Sequence, residues 1–472
     1  MVWHIVKKEI LENFLSLRFA ITCIICFLVV SASIAILGKE YVDDLYDYTR
    51  NRREHRDELE KKGHPWEIIY RGVTIDKPIS KMSIFNKGID DNGRSAKLFG
   101  FREAEYYTKK GKNPVTFLFP SIDLLFFVSV IMSLLAIVFS YDAISGEKFN
   151  ETLKLMVSYP VSRSSVILGK WIGGYVCLML PFAIATVSGL ILLFIMVPDM
   201  ELARGDVVRL ILLLALASIF VSIVYTFGIM ISACTEKPST SITVLLLTWV
   251  VFVLIVPNIS SSLASFFTET GNVQEIEGKK RKVVRESWNS LRRKMREYRK
   301  KHGYSWRDPE FRLYVQKLRK KQYEETRRSL ENINRRYRLK MDAQVKFTKW
   351  ISRISPLASL KYAAGLLTET GYMEDYNFRR AVEEYGYELM TFCYDEWAES
   401  EMDRLRAQSG LQGSREWKFT PERAPKFDYG TIKKSRFEYE LAEVLIDVGL
   451  LICWNVIFFL GAYILFIRYD VK

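Results

Sequence analysis

The chain is poor in the residues that build most metal, redox and nucleophilic sites. Its four histidines lie far apart in the 472 residues, which does not suggest shared metal ligation. Five of its six cysteines fall in or at the edge of apolar runs, and Cys393 alone lies in a large polar region, so no disulfide framework is indicated. We also find no Ser-His-Asp or Cys-His arrangement and no credible pair of catalytic carboxylates. We therefore expect no catalytic residues and no metal site in this chain. We also expect Cys393 to be the one cysteine that a membrane-impermeant thiol reagent labels from outside.

A nucleotide-binding loop is missing as well. The sequence contains no G-x-x-x-x-G-K-[ST] phosphate loop, and "GEKFNET" and "GKWIGG" fail its spacing. We therefore expect no cofactor bound by this chain itself.

Long apolar runs dominate what is present. There are six, and each is long enough to cross a hydrocarbon core of about 30 Å, which needs roughly 20 helical residues. They cover residues 16–37, 118–141, 171–197, 207–233, 241–263 and 442–467. The sequence therefore predicts an all-α polytopic membrane protein with six transmembrane helices.

The first run follows a segment with the pattern of a surface helix. Apolar residues alternate with Lys and Glu over residues 1–15, which predicts an amphipathic elbow helix on the membrane surface. "VSASIA" at 30–35 resembles a signal-cleavage site, but the apolar run is longer than a signal peptide requires and continues past it. We expect an uncleaved first span.

Basic residues in the short connections predict the orientation. The N-terminal segment and the loop at 142–170 are rich in Lys and Arg, whereas the short loop at 197–206 is acidic. The positive-inside rule then places both termini and 142–170 in the cytoplasm and both large polar regions outside. Residues 279–321 oppose this, with 18 Lys and Arg against 4 Asp and Glu, but long loops translocate largely regardless of charge.

The two large polar regions differ in character. Region 38–115 begins with a charged helical stretch and continues with β-branched and aromatic residues, which predicts a small external α+β insertion. Region 264–440 predicts a large external helical domain: two long helices folded back at 302–311, then a helix over 374–408. The basic residues at 279–321 come without a nucleic-acid recognition motif, so we expect a solvated helical pair and no nucleic acid.

The polar loop reads "YDAISGEKFNETLKLMVSYPVSRSSVILGK" at 141–170. The sequence predicts one short helix that begins at Ser145, carries an apolar stripe of Phe149, Leu153 and Met156, and ends at Pro160. Ser162 can cap the next helix. A helix with an apolar stripe at this place can lie on lipid or dock into a groove of a partner protein. A plain connecting loop would need no such stripe.

This loop resembles the signature of type-2 ABC transporter permeases, in particular the branch similar to gliding-motility and nitrous-oxide-maturation permeases. The match runs through Asp142, "ISGE", "TLKL", "PVSR" and "LGK". It departs at Asn150 and Glu151, where the family has Arg-Gly before the threonine. "WVVFVLIVPNISSSLASF" and "ISPLASLKYAAGLLTETG" extend the resemblance further along the chain.

The resemblance implies that the loop docks on a nucleotide-binding subunit and couples ATP-driven dimerisation to the spans. The residues to which it assigns this coupling are Ser145, Gly146, Glu147, Phe149, Thr152, Leu153, Lys154, Met156, Pro160 and Arg163. ATP and Mg would be bound by that partner. Asp123 and Asp447 lie near span ends and are candidates for pathway or interfacial carboxylates.

The resemblance further implies the assembly and leaves two functions open. Two copies of an ABC ATP-binding subunit would pair with this chain and a second permease subunit, the same or homologous, in the lipid of the cell (inner) membrane. The first function is export of a substrate or lipid. The alternative is mechanical: ATP hydrolysis drives the external helices against an envelope protein without solute transport. A receptor without an ATPase would not need the striped loop helix.

Overall fold

Six long apolar helices form the body of the protein. The computed structural model describes residues 2–88, 94–100, 103–107, 121–153, 162–198, 200–267, 273–305, 308–408, 420, 423–429 and 437–469. Within these residues, six helices are long and apolar enough to cross a membrane, which confirms the predicted fold class. They are α2 (Leu17–Glu60), α4 (124–140), α6 (Arg163–Met196), α7 (Arg204–Cys234), α8 (238–267) and α13 (Phe437–Arg468).

Two of these helices contain a π-helical turn. In α4 the turn spans Phe127–Met132, between Leu124–Phe126 and Ser133–Ser140. In α8 it spans Val250–Ile255, between Pro238–Trp249 and Val256–Phe267. A π-turn widens the helix locally, and such turns are frequent at functional sites.

The predicted amphipathic helix at the N-terminus is present as α1 (Val2–Phe14). Val6 and Glu9 are buried, whereas Trp3 and Leu11 are largely exposed. The buried face packs closely against α6. A side chain at position 173 would collide with Glu9, so this contact requires Gly173. Ser16 then caps α2 by accepting a hydrogen bond from the Phe19 amide.

Helix α2 continues far beyond the apolar run 16–37. Its 44 residues correspond to about 66 Å, twice what a hydrocarbon core needs. No proline interrupts residues 17–60, so the charged stretch after the span continues as the same helix. The first span and the first polar region therefore share one element.

The two polar regions fold together into one domain beyond the bundle of spans, which we call the outer domain. The first contributes α3 (Pro65–Arg71) and an antiparallel sheet of β1 (Val73–Asp76), β2 (Ser95–Leu98) and β3 (Glu105–Tyr107), in the order β1-β2-β3. Val73 pairs with Leu98 in β2. The second region contributes α12 (Tyr372–Gln408), and Ile68, Leu98, Phe378 and Leu389 belong to one apolar core.

Cys393 lies inside that core. Its side chain is fully buried, and burial raises the pKa of its thiol, so it is shielded and poorly reactive. The expectation that reagents reach this cysteine from outside is therefore wrong. Cys234 and Cys453 are the exposed cysteines of the described residues, and neither lies in the outer domain.

The predicted helical hairpin is confirmed as α9 (Val273–His302) and α10 (Pro309–Ser352). Leu291 is buried between the two helices, and the rings of Tyr298 and Tyr314 stack at 3.7 Å. The helix predicted over 374–408 is also confirmed, as α12.

The hairpin is braced by the rest of the outer domain. Inward-facing basic residues of α10 pair with acidic residues of α12, at 2.9 Å for both Arg312–Glu401 and Arg338–Glu383. Lys280 of α9 reaches Glu103 of the first polar region at 3.0 Å. The excess basic charge of the hairpin is thus partly balanced within the domain.

A short helix inside region 264–440 belongs to the spans and not to the outer domain. Helix α11 (Pro356–Thr368) packs against α7 and α13, with Leu360, Ala363 and Ala364 fully buried in the core of the bundle. Ser355 caps it and donates a hydrogen bond to the Phe252 carbonyl in α8 at 2.5 Å. The small residues allow this close packing.

Candidate functional site

The loop between α4 and α6 lies at the end of the bundle that carries both chain termini. Gly169 of α6 lies against Ile5 of α1. Arg163 donates hydrogen bonds to the carbonyls of Ile467 and Tyr469 at 2.5 and 2.9 Å. We call this region, formed by α1, residues 141–153, residues 162–170 and residues 466–469, the loop end.

A short helix, α5 (Ser145–Phe149), is pinned to the end of α7. The amides of Ile144 and Ser145 donate to the Ser232 hydroxyl at 3.0 and 2.9 Å. Lys148 donates to the Thr235 carbonyl at 3.3 Å and lies 4.2 Å from the Tyr469 ring centre. These contacts hold α5 as part of the bundle and not as a free loop.

The prediction of one helix from Ser145 to Pro160 is wrong. Helix α5 ends at Phe149, and Glu151 has a φ of +58°, a left-handed conformation that cannot continue an α-helix. The break also divides the predicted stripe, since Phe149 is 62% exposed whereas Leu153 is buried.

The structure describes only some of the other residues to which the resemblance assigns coupling. Gly146 lies in α5, and the Thr152 hydroxyl donates a hydrogen bond to the Glu147 carboxylate. Lys154, Met156 and Pro160 lie outside the described residues.

Glu147 is turned inward into a buried charge cluster. Lys170 of α6, only 5% exposed, contacts Glu9 at 2.6 Å and Glu147 at 3.1 Å. One ammonium group thereby joins α1, α5 and α6. A buried charge is tolerated only when it is paired in this way, which makes the cluster a fixed geometric junction.

A second ion pair joins the base of α2 to the end of α4. Arg18 donates to both carboxylate oxygens of Asp142, at 3.1 and 2.7 Å, and to the Tyr141 hydroxyl at 3.0 Å. Such a bidentate pair fixes orientation as well as distance. Asp142 immediately precedes the turn into α5, so α2 is connected to the loop through this pair.

Arg163 has a structural task at the start of α6. Its guanidinium satisfies terminal carbonyls of α13, groups that have no partner inside their own helix. Ser162 caps α6 by accepting from the Ser165 amide, as predicted for this serine.

Among the described residues that directly follow α4, exposure is confined to one short stretch. Residues 149–152 are all exposed, and Phe149 is their large apolar side chain. We call these four residues the knuckle. An exposed aromatic side chain on a rigidly held turn, surrounded by polar residues, is suited to insertion into a partner's pocket.

The two candidate carboxylates lie at the opposite end of the bundle. Asp123 caps α4, accepting from the amides of Phe126 and Lys87 at 2.7 and 3.1 Å. Asp447 is fully buried and pairs with Arg353 through two hydrogen bonds of 2.7 and 3.0 Å. Both carboxylates are engaged in contacts that join the spans to the outer domain.

Several site residues were missed in the sequence. Glu9 had a detectable signal, because it falls on the same helical face as Val2, Ile5 and Val6, where a charge requires a buried partner. Ser232 had no such signal. A serine within an apolar run gives no indication that its hydroxyl will accept hydrogen bonds from a distant loop. Within the residues that the structure describes, no three His, Cys, Asp or Glu side chains are grouped to hold a metal ion.

Comparison with known proteins defines the class. A family model described as ABC-2 family transporter protein matches residues 3–471, so the chain belongs to that family. By family it is an ABC transporter membrane subunit.

Two curated relatives are similar over a short segment. Both are described as probable ABC transporter permease protein NosY. The one from Pseudomonas aeruginosa is 37% identical over 73 residues, and the one from Stutzerimonas stutzeri is 35% identical over 72 residues. These segments cover 16% and 15% of this chain and 26% of each relative. The match thus spans about a quarter of the length of these relatives.

Proposed function

We propose that this chain couples ATP hydrolysis by a separate ATP-binding subunit to export of a substrate or lipid across the cytoplasmic membrane. The observation that carries the proposal is the knuckle: an exposed Phe149 on a turn that is fixed to the bundle. A docking element must both reach its partner and transmit force, and the loop end combines these two properties.

Three contacts would distribute that force. Ser232 connects α5 to α7, Lys170 connects it to α1 and α6, and Asp142 connects the preceding turn to α2 through Arg18. A displacement of α5 would therefore act on several spans together. In this proposal Glu147 is a positioning residue and Phe149 is the contact residue.

The assembly follows the family resemblance. Two ATP-binding subunits, which bind ATP and Mg, would sit below this chain and a second permease subunit, the same or homologous. The loop end and both termini would face the cytoplasm, and the outer domain would lie outside the inner membrane. Asp123 and Asp447 would then be interfacial, holding the outer domain to the span ends.

A single substitution tests the docking role. We expect Phe149→Asp to reduce co-purification of the ATP-binding subunit at least about tenfold, since losing a central aromatic anchor costs about 2 kcal/mol or more. Leu339→Asp is the matched control, because Leu339 is also 62% exposed but lies on α10 in the outer domain. Equal co-purification of both variants with wild-type yield would refute docking through the knuckle.

The mechanical alternative has its own supporting observation. Helix α2 runs unbroken from Arg18, beside the loop, to the outer domain, where His55 contacts Asp76 of β1 at 2.7 Å. A continuous helix is suited to carry a displacement from the loop end to that domain. Reconstitution in liposomes separates the two functions, since the exporter moves lipid or solute and the mechanical device does not.

A further inference from the structure

One face of α9 carries a row of arginines that form no ion pair with the described residues of the outer domain. Arg281, Arg285, Arg292, Arg296 and Arg299 fall within an arc of about 60° around the helix at 3.6 residues per turn. All five are exposed. They extend over about 27 Å of the helix axis. We call these five residues the arginine row.

The arginine row differs from the other basic residues of the hairpin. The ion pairs that α9 makes within the described residues use its lysines: Lys279 with Glu275, Lys280 with Glu103 and Glu277, and Lys282 with Glu286. No arginine of the row has a carboxylate within 4 Å among the described residues. Glu286 and Glu297, the two acids between Arg281 and Arg299, lie at least about 80° around the helix from the row.

The returning helix provides an internal comparison. An exposed row of five basic residues on α10, at positions 317, 321, 328, 335 and 346, is interspersed with Glu324, Glu325 and Glu331. Acidic residues three or four positions away on the same helix offset the positive charge of such a face. By the same measure only Arg281 of the arginine row has a neighbouring acid, Glu277, four residues before it. The row therefore stands out by its scarce counter-charge and not by its basic residues alone.

Most of the arginine row lies far along the hairpin from the bundle of spans. Helix α10 reaches the bundle at Ser352, and Tyr314, which stacks on Tyr298, lies about 57 Å back along the helix axis. The antiparallel α9 therefore carries Arg292, Arg296 and Arg299 toward the distant tip.

We propose that the arginine row docks an acidic helical segment of another protein. Guanidinium groups bind carboxylates through paired hydrogen bonds, which favours arginine over lysine for such recognition. The row is also uneven: six residues separate Arg285 from Arg292, and half-buried Trp288 lies beside this gap. Arginine mixed with tryptophan is typical of protein interfaces, whereas a phosphate polymer has an even charge repeat. The proposal goes beyond the coupling function and does not depend on ATP.

The test uses the full-length protein in nanodiscs of uncharged phosphatidylcholine, without nucleotide. The probe is a fluorescent helical peptide of about 20 residues with glutamates at the spacing of the arginine row, read by anisotropy. A peptide of the same composition with its glutamates spread around the helix is the control probe. We expect the matched peptide to bind at least about tenfold more tightly, with an affinity that falls as salt rises.

Two variants separate the row from net charge. The row variant changes all five arginines to glutamine: Arg281→Gln, Arg285→Gln, Arg292→Gln, Arg296→Gln and Arg299→Gln. The control variant removes the same charge from α10: Lys317→Gln, Lys321→Gln, Arg328→Gln, Arg335→Gln and Lys346→Gln. We expect the row variant to lose at least about tenfold in affinity and the control variant no more than about threefold.

Several outcomes would overturn the proposal. Equal losses in both variants would mean attraction by net charge, and equal binding of the two peptides would mean that no spaced recognition exists. Tighter binding of polyphosphate or RNA than of the matched peptide, lost in the row variant, would assign the surface to a phosphate polymer. Row-dependent binding to anionic vesicles without peptide binding would assign it to lipid.

Discussion

Lys170 is the residue on which the geometry of the loop end depends most. It is almost fully buried between Glu9 and Glu147, which come from helices that are far apart in sequence. Without the ammonium group, two carboxylates would remain close together in a site with little water. The cluster is thus held by one positive charge.

We therefore predict that Lys170→Ala is strongly destabilising. Breaking a buried ion pair from one side costs about 3–5 kcal/mol, because the remaining charge loses its partner. Thermal unfolding in detergent should show a midpoint several degrees lower. Lys7→Ala, a change of an exposed lysine on α1, should leave the midpoint unaltered. Similar midpoints for the two variants would contradict the junction role of Lys170.

Glu151 occupies a backbone conformation that suits glycine. Its φ of +58° lies in the left-handed region, where a side chain costs about 1–2 kcal/mol. The family pattern that the loop resembles has glycine at this place before the threonine. The chain therefore has the left-handed turn while lacking the residue that favours it.

We predict that Glu151→Gly stabilises the protein by about 0.5–1 kcal/mol, because relief of strain exceeds the added freedom of the unfolded chain. Glu151→Ala removes the same charge but keeps the Cβ, so it should give no comparable gain. The measurement is the unfolding midpoint of both variants. Stabilisation by alanine as large as that by glycine would show that charge and not backbone conformation matters.

At the scale of elements, the spans and the long helices could be predicted from the sequence. Apolar runs of sufficient length specify spanning helices, and the scarcity of proline and glycine predicts the helices of the hairpin. The break after α5 could not be predicted, because the left-handed residue is Glu151 and glutamate rarely adopts that conformation. The charge cluster could not be predicted either, because the pairing of Lys170 with Glu9 depends on how α1 packs on α6.

Helix α2 is the element that connects the two ends of the molecule. We predict that Thr49→Pro, in its exposed outer half, interrupts this connection, because a proline inside a helix removes a hydrogen bond and kinks it at a cost of about 3 kcal/mol. The measurement uses a variant that lacks the exposed cysteines and carries a spectroscopic probe attached at Leu339→Cys. The spectrum of this probe should change when ATP is added. Thr49→Pro should abolish that change while ATP hydrolysis continues.

Thr49→Ala is the control for that experiment. It removes the same side chain and keeps the helix, so the nucleotide-dependent signal should remain. A signal that persists in Thr49→Pro would show that α2 does not carry the movement, and would favour an exporter whose outer domain moves independently of this helix.

At the scale of the whole molecule, the outer domain is a composite of two insertions. Its core combines Ile68 and Leu98 of the first with Phe378 and Leu389 of the second. Patterning within each segment indicates a buried face but not the partner that covers it. This is why two separate regions were expected where the structure has one domain.

We predict that damage to one insertion loosens the other. Ile68 is fully buried, and Ile68→Ala should cost about 2–5 kcal/mol in the shared core. Limited trypsin digestion should then cleave faster within α12, which belongs to the second insertion. Arg71→Ala, at an exposed position on the same helix as Ile68, is the control and should leave cleavage unaltered. Unchanged cleavage of α12 in Ile68→Ala would mean that the insertions are stable separately.

The central claim is that the knuckle docks on an ATP-binding subunit. The most direct test places a photo-crosslinking amino acid at position 149 of the full-length protein in native membranes, with position 339 as the control. The account predicts that illumination crosslinks position 149, and not position 339, to an ABC ATP-binding subunit identified by mass spectrometry. Absence of that adduct at position 149, although the ATP-binding subunit is present in the same membranes, would contradict the account.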